Sequence, residues 1–172
     1  MTHRSRGFTL IEMIVVVAII VALAGILVPI VTNELDDAKK ATAQATVNRV
    51  ATAVTQYIKD TAYPPTGKNG KSSYHYLYTA GTTPSSNKFA SGGSTTVENF
   101  LARNKYGTAN WKGPYLQEIG ADPWGCRYLV NTHGFFSNKE RVWVLSAGPN
   151  RKVETKAIDT APQGDDIALY LE

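Results

Sequence analysis

A long apolar run near the N-terminus limits what this chain can fold into. The run covers residues 13–31 and follows two basic residues, Arg4 and Arg6. An α-helix over residues 8–31 would be about 36 Å long at ~1.5 Å per residue, enough to cross a hydrocarbon core of ~30 Å. The sequence therefore predicts a membrane-spanning helix, with room for one small domain after it.

The basic residues before the run predict its orientation. Arg4 and Arg6 should keep the N-terminus in the cytoplasm and send the rest of the chain outward. An ordinary secretory signal peptide is the alternative, because residues 22–24 read Ala-Leu-Ala, an A-x-A cleavage pattern. Against it, the apolar run continues past this pattern, and Glu12 lies where a signal peptide should be purely apolar.

The junction before the run carries a family resemblance. Residues 7–12 read Gly-Phe-Thr-Leu-Ile-Glu, and with the apolar run they resemble the class III leader of type IV pilins and pseudopilins. The resemblance implies that a dedicated prepilin peptidase cuts between Gly7 and Phe8 on the cytoplasmic side. It also implies N-methylation of Phe8, so residues 1–7 are expected to be a cleaved leader.

The position of Glu12 in the predicted membrane segment needs an explanation. An ionisable group inside a bilayer costs a few kcal/mol and normally has a partner or a function. Cleavage after Gly7 would give Phe8 a cationic amino group with an ordinary pKa near ~8. Within one chain the two groups lie about one helical turn apart, so an intramolecular pair is one interpretation. The family resemblance implies the other: Glu12 of one subunit meets the Phe8 amine of its neighbour and fixes assembly register.

Gly25 and Pro29 predict a weak point in the helix. Pro29 cannot donate to the carbonyl of Gly25 and crowds it, while glycine is itself a poor helix former. We expect a kink there, or a segment that unwinds on assembly. A tolerated proline kink without a function is the alternative.

Beyond residue 31 the pattern becomes amphipathic. Charged and polar residues mark the membrane exit, and apolar residues then recur on one helical face: Val47, Val50, Ala51, Val54, Tyr57 and Ile58. Tyr63, Pro64 and Pro65 end the pattern. We therefore expect one helix, with a transmembrane half over residues 8–31 and an amphipathic half over residues 32–60.

Residues 61–172 are predicted to form one globular domain. The part up to residue 107, above all residues 79–96, is rich in Gly, Ser, Thr, Pro and Asn and is expected to be loops. A short helix is predicted over residues 98–105. The role of the 79–96 region cannot be read from its composition.

Three strands are predicted in the second half of the domain. Residues 128–130 and 141–146 should form a hairpin around a loop that contains Gly134, and residues 167–171 could add an edge strand. The predicted fold class is α+β, with a small antiparallel sheet on the long helix.

Composition excludes several functions. The formal charge of +4 falls to +2 without Arg4 and Arg6, too little for nucleic-acid binding. The chain has one cysteine, Cys126, so it has no intramolecular disulfide. A Cys126 and His133 dyad would lack a third orienting residue, and three histidines are too few and too scattered for a zinc site. We expect no enzyme activity.

A second motif narrows the resemblance. Residues 111–116 read Trp-Lys-Gly-Pro-Tyr-Leu, residues 122–125 read Asp-Pro-Trp-Gly, and Tyr128 follows. This pattern resembles the G-type major pseudopilin of type II secretion systems. Locally it predicts a turn at residues 122–125 and aromatic rings that cap the core between helix and sheet.

That resemblance implies an inner-membrane, single-pass protein with its domain in the periplasm. The expected partners are further copies of the chain in a homopolymer, minor pseudopilins, the prepilin peptidase, and an assembly platform with a cytoplasmic ATPase. The filament would act like a piston that exports folded proteins. A surface pilin for adhesion, motility or DNA uptake is the alternative, against which the missing disulfide argues. A membrane-anchored periplasmic enzyme or binding module is a third alternative, against which the lack of catalytic motifs argues.

The resemblance also implies calcium near the C-terminus. The matching positions are the Ala147 carbonyl, Asn150 in place of the usual aspartate, Asp165 and Asp166. Hard cations bind such clustered oxygens. Arg151, Lys152 and a long loop over residues 153–164 depart from the pattern, so a solvated polar loop is the alternative.

Overall fold

The computed structural model describes residues 7–71, 74–88 and 92–171. The described residues divide into two compact units, with the boundary between Lys39 and Lys40. One long helix, α1 (Leu10–Thr61), contributes to both units and has nearly the predicted bounds. The helix continues through Gly25 and Pro29, so unwinding of this segment on assembly stays a prediction.

The first unit contains the apolar part of α1 and the polar residues that follow it up to Lys39. The apolar side chains are exposed, including those of Ile11, Val21 and Leu27. In the described residues, α1 is the one helix that is long and apolar enough to cross a membrane. A helix whose apolar side chains point outward on all sides is stable only in an apolar environment, which agrees with the predicted membrane segment.

In the second unit, the amphipathic part of α1 buries the predicted stripe. Val47, Val50, Val54 and Tyr57 are fully buried, and Ile58 packs at the edge of the same core. The helix ends at Thr61, whose hydroxyl donates to the Tyr57 carbonyl at 2.8 Å. The predicted amphipathic helix is confirmed.

Five strands form the sheet that completes the second unit. They are β1 (Tyr76–Tyr78), β2 (Ser94–Thr96), β3 (Leu129–Asn131), β4 (Val142–Ser146) and β5 (Ile167–Leu171), in the order β2-β1-β3-β4-β5. β3 and β4 form the predicted antiparallel hairpin, and β5 is the predicted edge strand. A short helix, α2 (Glu98–Leu101), follows β2.

The structure corrects three sequence predictions. The sheet is mixed rather than antiparallel, because β1 and β2 pair in parallel with Leu77 opposite Thr95. The region up to residue 107 is not only loops, since it supplies β1, β2 and a 3₁₀ turn at Lys68–Gly70. The predicted helix over residues 98–105 ends at Leu101, because the backbone turns and Asn104 takes a positive φ of 43°.

The two faces of the sheet carry different cores. The face with Leu77, Val130 and Val144 packs on the stripe of α1. The opposite face carries a second apolar cluster, in which Trp143 is fully buried together with Leu129, Leu145, Val153 and Ala157. The first part of the 153–164 loop, with Val153 and Ala157, therefore packs on the sheet, while residues 160–164 are exposed.

Candidate functional site

The N-terminal junction is open to approach from outside. Gly7 has no neighbouring atom within 4 Å of the position that a Cβ would take. Phe8 is 80% exposed and precedes the first helical residue, Leu10. The predicted cleavage site thus lies just before the first residue of α1.

Glu12 takes part in a capping box that the sequence analysis missed. Its carboxylate accepts hydrogen bonds from the Thr9 backbone nitrogen at 2.8 Å and the Thr9 hydroxyl at 2.7 Å. The Glu12 nitrogen donates back to the Thr9 hydroxyl at 3.3 Å. The spacing T-x-x-E at a helix start is the signal that could have revealed it.

The aromatic motif caps the core as predicted. Trp111, Tyr115 and Trp124 pack against the core beneath α1. The Trp111 ring nitrogen donates to the Phe100 carbonyl at 2.9 Å, and Tyr115 meets Tyr57 edge to face at 5.8 Å. A side chain at position 113 would overlap the Trp111 ring, which explains the glycine there.

The Asp-Pro-Trp-Gly sequence forms the predicted turn, with the Gly125 nitrogen donating to the Asp122 carbonyl at 2.9 Å. The Asp122 side chain is 4% exposed. One of its oxygens accepts from the nitrogens of Trp124 at 3.0 Å and Cys126 at 2.7 Å. These donors offset the free-energy cost of burying the carboxylate, so Asp122 stabilises the turn.

Ser146 links this turn to the C-terminal polar region. Its hydroxyl donates to the second Asp122 oxygen at 2.6 Å and accepts from the Gly148 nitrogen at 3.2 Å. Gly148 has a positive φ of 61°, and a Cβ there would overlap the Asp165 carbonyl oxygen. The position after β4 is thereby held close to the backbone before β5.

The structure brings together most of the residues predicted to bind calcium. Asp165 accepts from the Asn150 backbone nitrogen at 2.8 Å, and Asp166 accepts from the nitrogens of Glu154 at 2.9 Å and Thr155 at 2.7 Å. Ala147 is fully buried directly after β4.

The Asn150 side chain is less free to bind calcium than the sequence predicts, because both of its polar atoms form hydrogen bonds. Its side-chain oxygen accepts from the Lys152 nitrogen at 2.7 Å, and its amide nitrogen donates to the Glu154 carboxylate at 3.1 Å. The role of Asn150 as a calcium ligand stays a prediction. Glu154, four residues after Asn150, is a neighbour that the sequence analysis did not single out, although this close spacing was a signal for it.

Arg151 does not enter this region. Its guanidinium donates to Cys126 Sγ at 3.4 Å and to Thr82 Oγ1 at 3.0 Å. Within the described part of the chain, Glu154, Asp165 and Asp166 form no ion pair with a lysine or arginine. The described part of the chain therefore places no lysine or arginine within ion-pair distance of these acidic residues.

Two carboxylate oxygens in the region have no partner. Asp165 Oδ1 and Asp166 Oδ1 are buried without a hydrogen bond. Burial raises the pKa of the Asp166 carboxyl, against the hydrogen bonds from Thr155 and Glu154, and the charge of Glu154 also raises it. Such an arrangement is costly unless a cation or a proton satisfies the free oxygens.

The donor set suits a hard divalent cation. Carboxylate oxygens are among the ligands that calcium prefers, and Asp165 and Asp166 each offer one that has no partner. Among residues 7–71, 74–88 and 92–171, no group of three or more His, Cys, Asp or Glu side chains is already arranged to hold a metal ion. Backbone carbonyls and water would have to complete the shell.

The structure also resolves the cysteine and histidine hypotheses. Cys126 is fully buried and contacts Arg151, while His133 bonds to Glu140 at 2.8 Å. The two therefore have different partners and form no dyad in this structure. His3 lies outside the described residues, and the other two histidines are closer than the sequence suggests, because the rings of His75 and His133 lie 4.7 Å apart.

A long N-terminal helix with an apolar first part, followed by a small α+β domain, defines a type IV pilin-like protein. The prokaryotic N-terminal methylation motif matches residues 2–28, and the model of type II secretion system protein G matches residues 75–161. The chain belongs to the type II secretion system protein G family.

Three curated relatives of the same name align with 73–90% of this chain. Type II secretion system core protein G of Escherichia coli (strain K12) is 33% identical over 158 residues, which cover 90% of this chain and 89% of that protein. The protein of the same name from Pseudomonas aeruginosa is 30% identical over 127 residues, covering 73% and 72% of the two chains. That of Dickeya chrysanthemi is 25% identical over 155 residues, covering 90% and 84%. No solved structure is significantly similar to this chain.

Proposed function

We propose that this chain is the major structural subunit of a type II secretion pseudopilus. The observation that carries the proposal is the presence of both family signatures in one chain, the methylation motif at residues 2–28 and the protein G domain at residues 75–161. The subunit polymerises with further copies of itself and helps to export folded proteins across the outer membrane.

The precursor is inserted as a single-pass inner-membrane protein with its domain in the periplasm. The exposed apolar helix supports the anchor, and the basic residues before it support the orientation. Prepilin peptidase then cuts after Gly7, and Phe8 is N-methylated. The exposure of Gly7 and Phe8 ahead of α1 supports access of the peptidase to this bond.

Assembly places the Glu12 carboxylate of one subunit against the Phe8 amine of its neighbour. The capping box supports this role, because Thr9 holds the carboxylate near the start of the helix. Minor pseudopilins and an inner-membrane platform with a cytoplasmic ATPase are the further partners, and subunit addition pushes the filament like a piston. Local unwinding between Gly25 and Pro29 would let packed helices adjust.

Mass spectrometry of membrane-extracted protein tests the processing step. The expected mature chain begins at N-methylated Phe8, and Gly7→Leu should leave the precursor uncut because the small residue at the cut is lost. Gly25→Ala serves as a control, because it alters a glycine within α1 that is distant from the cleavage site. A mature chain that begins at Gly25 would show ordinary signal-peptide cleavage and would refute the proposal.

Deletion of the gene separates secretion from a surface pilus. We expect the folded cargo proteins to accumulate in the periplasm, and expression of the intact chain to restore their export. Normal export combined with the loss of surface filaments would instead identify a surface pilin.

We further propose that a calcium ion binds next to Asp165 and Asp166. Their buried, unpartnered oxygens support this, as does the absence of an ion pair to either residue in the described chain. The Ala147 carbonyl and Asn150 remain candidate ligands. When bound, calcium would compensate the buried negative charge and tie the turn after β4 to the start of β5.

Thermal unfolding of the full chain in detergent tests calcium binding. An ion that binds the folded state alone should stabilise it by about 2.7 kcal/mol at ~100-fold excess over the dissociation constant. We expect a higher melting temperature in calcium than in chelator, and loss of that difference in Asp165→Ala and Asp166→Ala. Equal melting temperatures for the unmodified chain would leave only a solvated polar loop.

A further inference from the structure

A short segment after β1, residues 82–86, lies against two other parts of the domain, and we refer to it as the strap. At its first end, the Thr82 nitrogen donates to the Gly125 carbonyl at 2.9 Å, and the Thr82 carbonyl accepts from the Arg127 nitrogen at 3.0 Å. The approach is close, since a Cβ at Gly81 would lie 2.8 Å from the Arg127 nitrogen. This end of the strap is therefore fixed to the chain just before β3.

The other end of the strap holds the chain that follows β4. The Ser85 nitrogen and hydroxyl both donate to the Arg151 carbonyl, at 3.0 and 3.2 Å. The Ser86 carbonyl accepts from the Val153 nitrogen at 3.0 Å, and the Ser86 hydroxyl donates to the Val153 carbonyl at 3.1 Å. Val153 is fully buried in the apolar cluster around Trp143. The strap thus fixes the residue with which the C-terminal loop first packs on the sheet.

The Arg151 side chain connects the two ends of the strap over Cys126, which is fully buried. Its guanidinium donates to Thr82 Oγ1 at 3.0 Å and to Cys126 Sγ at 3.4 Å. The Thr82 hydroxyl in turn donates to the Gly125 carbonyl at 2.9 Å. Arg151 has a positive φ of 61°, a backbone conformation that costs free energy for residues other than glycine. Its hydrogen bonds with the strap, from both backbone and side chain, offset that cost.

These contacts differ in kind from those of the core on α1. They are hydrogen bonds near the surface, where Thr82, Ser85 and Arg151 are exposed, whereas fully buried apolar side chains hold the stripe of α1. Hydrogen bonds that water can reach are individually weak, and segments held by them open more readily than an apolar core. We propose that the strap keeps residues 151–153 closed over Cys126, and that this part opens as a local unit while the core on α1 stays folded.

The strap gives part of the 79–96 region a role that its composition did not show, because it holds the C-terminal loop against the sheet. It acts within one subunit and involves no bound ion, so it is independent of the proposed calcium site and of assembly. Opening exposes the thiol of Cys126, the one cysteine of the chain. The reactivity of this thiol therefore reports on the strap.

Labelling of Cys126 by dithionitrobenzoate, in the full chain in detergent, is the first experiment. Thr82→Val removes the hydroxyl that accepts from Arg151, and Ser86→Ala removes the hydroxyl that donates to Val153. Each change should raise the labelling rate by about tenfold, because the loss of one such hydrogen bond shifts a local opening equilibrium by about that factor.

Thr83→Val is the matched control. Thr83 is an exposed threonine of the strap, and its hydroxyl forms no hydrogen bond within the described residues. This change should leave the labelling rate as it is. All rates are measured in chelator, so that a bound cation does not contribute. Each rate is divided by that of the same variant in denaturant, which removes differences in the chemical reactivity of the thiol.

Hydrogen exchange followed by mass spectrometry shows whether the opening is local. In Thr82→Val, peptides over residues 151–157 should lose protection, while peptides over residues 47–57 of α1 should keep it. The same comparison in Ser86→Ala should give the same result.

Three outcomes would overturn the proposal. Labelling of Thr82→Val and Ser86→Ala at the rate of the original chain would show that the strap does not cover Cys126. An equal increase in Thr83→Val would show that the hydrogen bonds are not responsible. Equal loss of protection over residues 47–57 and 151–157 would show that the domain opens only as a whole. If Thr82→Val does not fold, Ser86→Ala decides the question by the same measurements.

Discussion

The Glu12 carboxylate accepts two hydrogen bonds from Thr9, one from its backbone nitrogen at 2.8 Å and one from its hydroxyl at 2.7 Å. A carboxylate in this position satisfies donors at the helix start that would otherwise be unpaired. The same carboxylate is the proposed partner of a neighbouring Phe8 amine. Glu12 therefore has a local role in the helix and a proposed role between subunits, and the two can be tested separately.

Glu12→Leu should insert into the membrane and be cleaved normally, because the change makes the helix more apolar. It should assemble poorly, since the Phe8 amine of the neighbour loses its partner. Filament yield and secretion are the measurements. Thr9→Val removes the hydroxyl of the capping box but keeps the carboxylate, and should assemble nearly normally. Equal loss in both variants would show that capping, rather than the pair with Phe8, is what assembly needs.

Ala62→Gly should stabilise the protein by about 1 kcal/mol. Ala62 has a φ of 60° at the end of α1, where its nitrogen donates to the Ile58 carbonyl at 2.8 Å. Glycine adopts this conformation without the steric cost that alanine carries. Denaturant unfolding in detergent measures the change. As a control, Ala45→Gly at an exposed helical position should destabilise by about 1 kcal/mol. Destabilisation by Ala62→Gly would contradict this account of the helix end.

Asp122→Ala should destabilise the domain by about 2–4 kcal/mol, because it leaves buried donors at Trp124, Cys126 and Ser146 without an acceptor. Denaturant unfolding measures the loss. Ser146→Ala should cost less, and the double variant should cost less than the sum of the two, since the residues share the hydrogen bond of 2.6 Å. Strict additivity would mean that this hydrogen bond contributes nothing.

Tyr57 should contribute to loss of stability at alkaline pH. Burial raises the pKa of the Tyr57 phenol, although the hydrogen bond to Thr108 opposes this shift. The folded state then keeps a proton that the unfolded state releases near pH ~10, so the free energy of unfolding falls as the pH rises from there through the folded pKa.

Tyr57→Phe should therefore reduce the slope of stability against pH in the alkaline range, while lowering stability at neutral pH through loss of the 2.8 Å hydrogen bond to Thr108. Thr108→Val is the matched control, because it removes the same bond and keeps the titrating phenol. The measurement is the free energy of unfolding of each variant at a series of pH values from neutral to alkaline. Identical slopes for the two variants would contradict the role of the Tyr57 phenol.

Features that depend on neighbouring residues follow from the sequence. The apolar part of α1, the buried stripe from Val47 onward and the turn at Asp122 were all predicted. Each arises from a pattern within a few residues: uniform apolarity, helical periodicity, or an aspartate and glycine at fixed turn positions. The capping box of Thr9 and Glu12 belongs to the same class, and its spacing was visible in the sequence.

Features that depend on distant residues were decided by the tertiary structure. The three-residue strands β1 and β2 carry no periodic pattern, and β1 forms by pairing with β3, far along the chain. Arg151 turns away from the acidic residues because its guanidinium bonds to Thr82, which lies 69 residues earlier in the chain. The long loop covers Trp143 through Val153 and Ala157, another contact that local sequence patterns do not predict. Such contacts form only when the whole domain closes, so local sequence patterns determine the anchor and its helix, while the domain's loops and its candidate cation site depend on the complete fold.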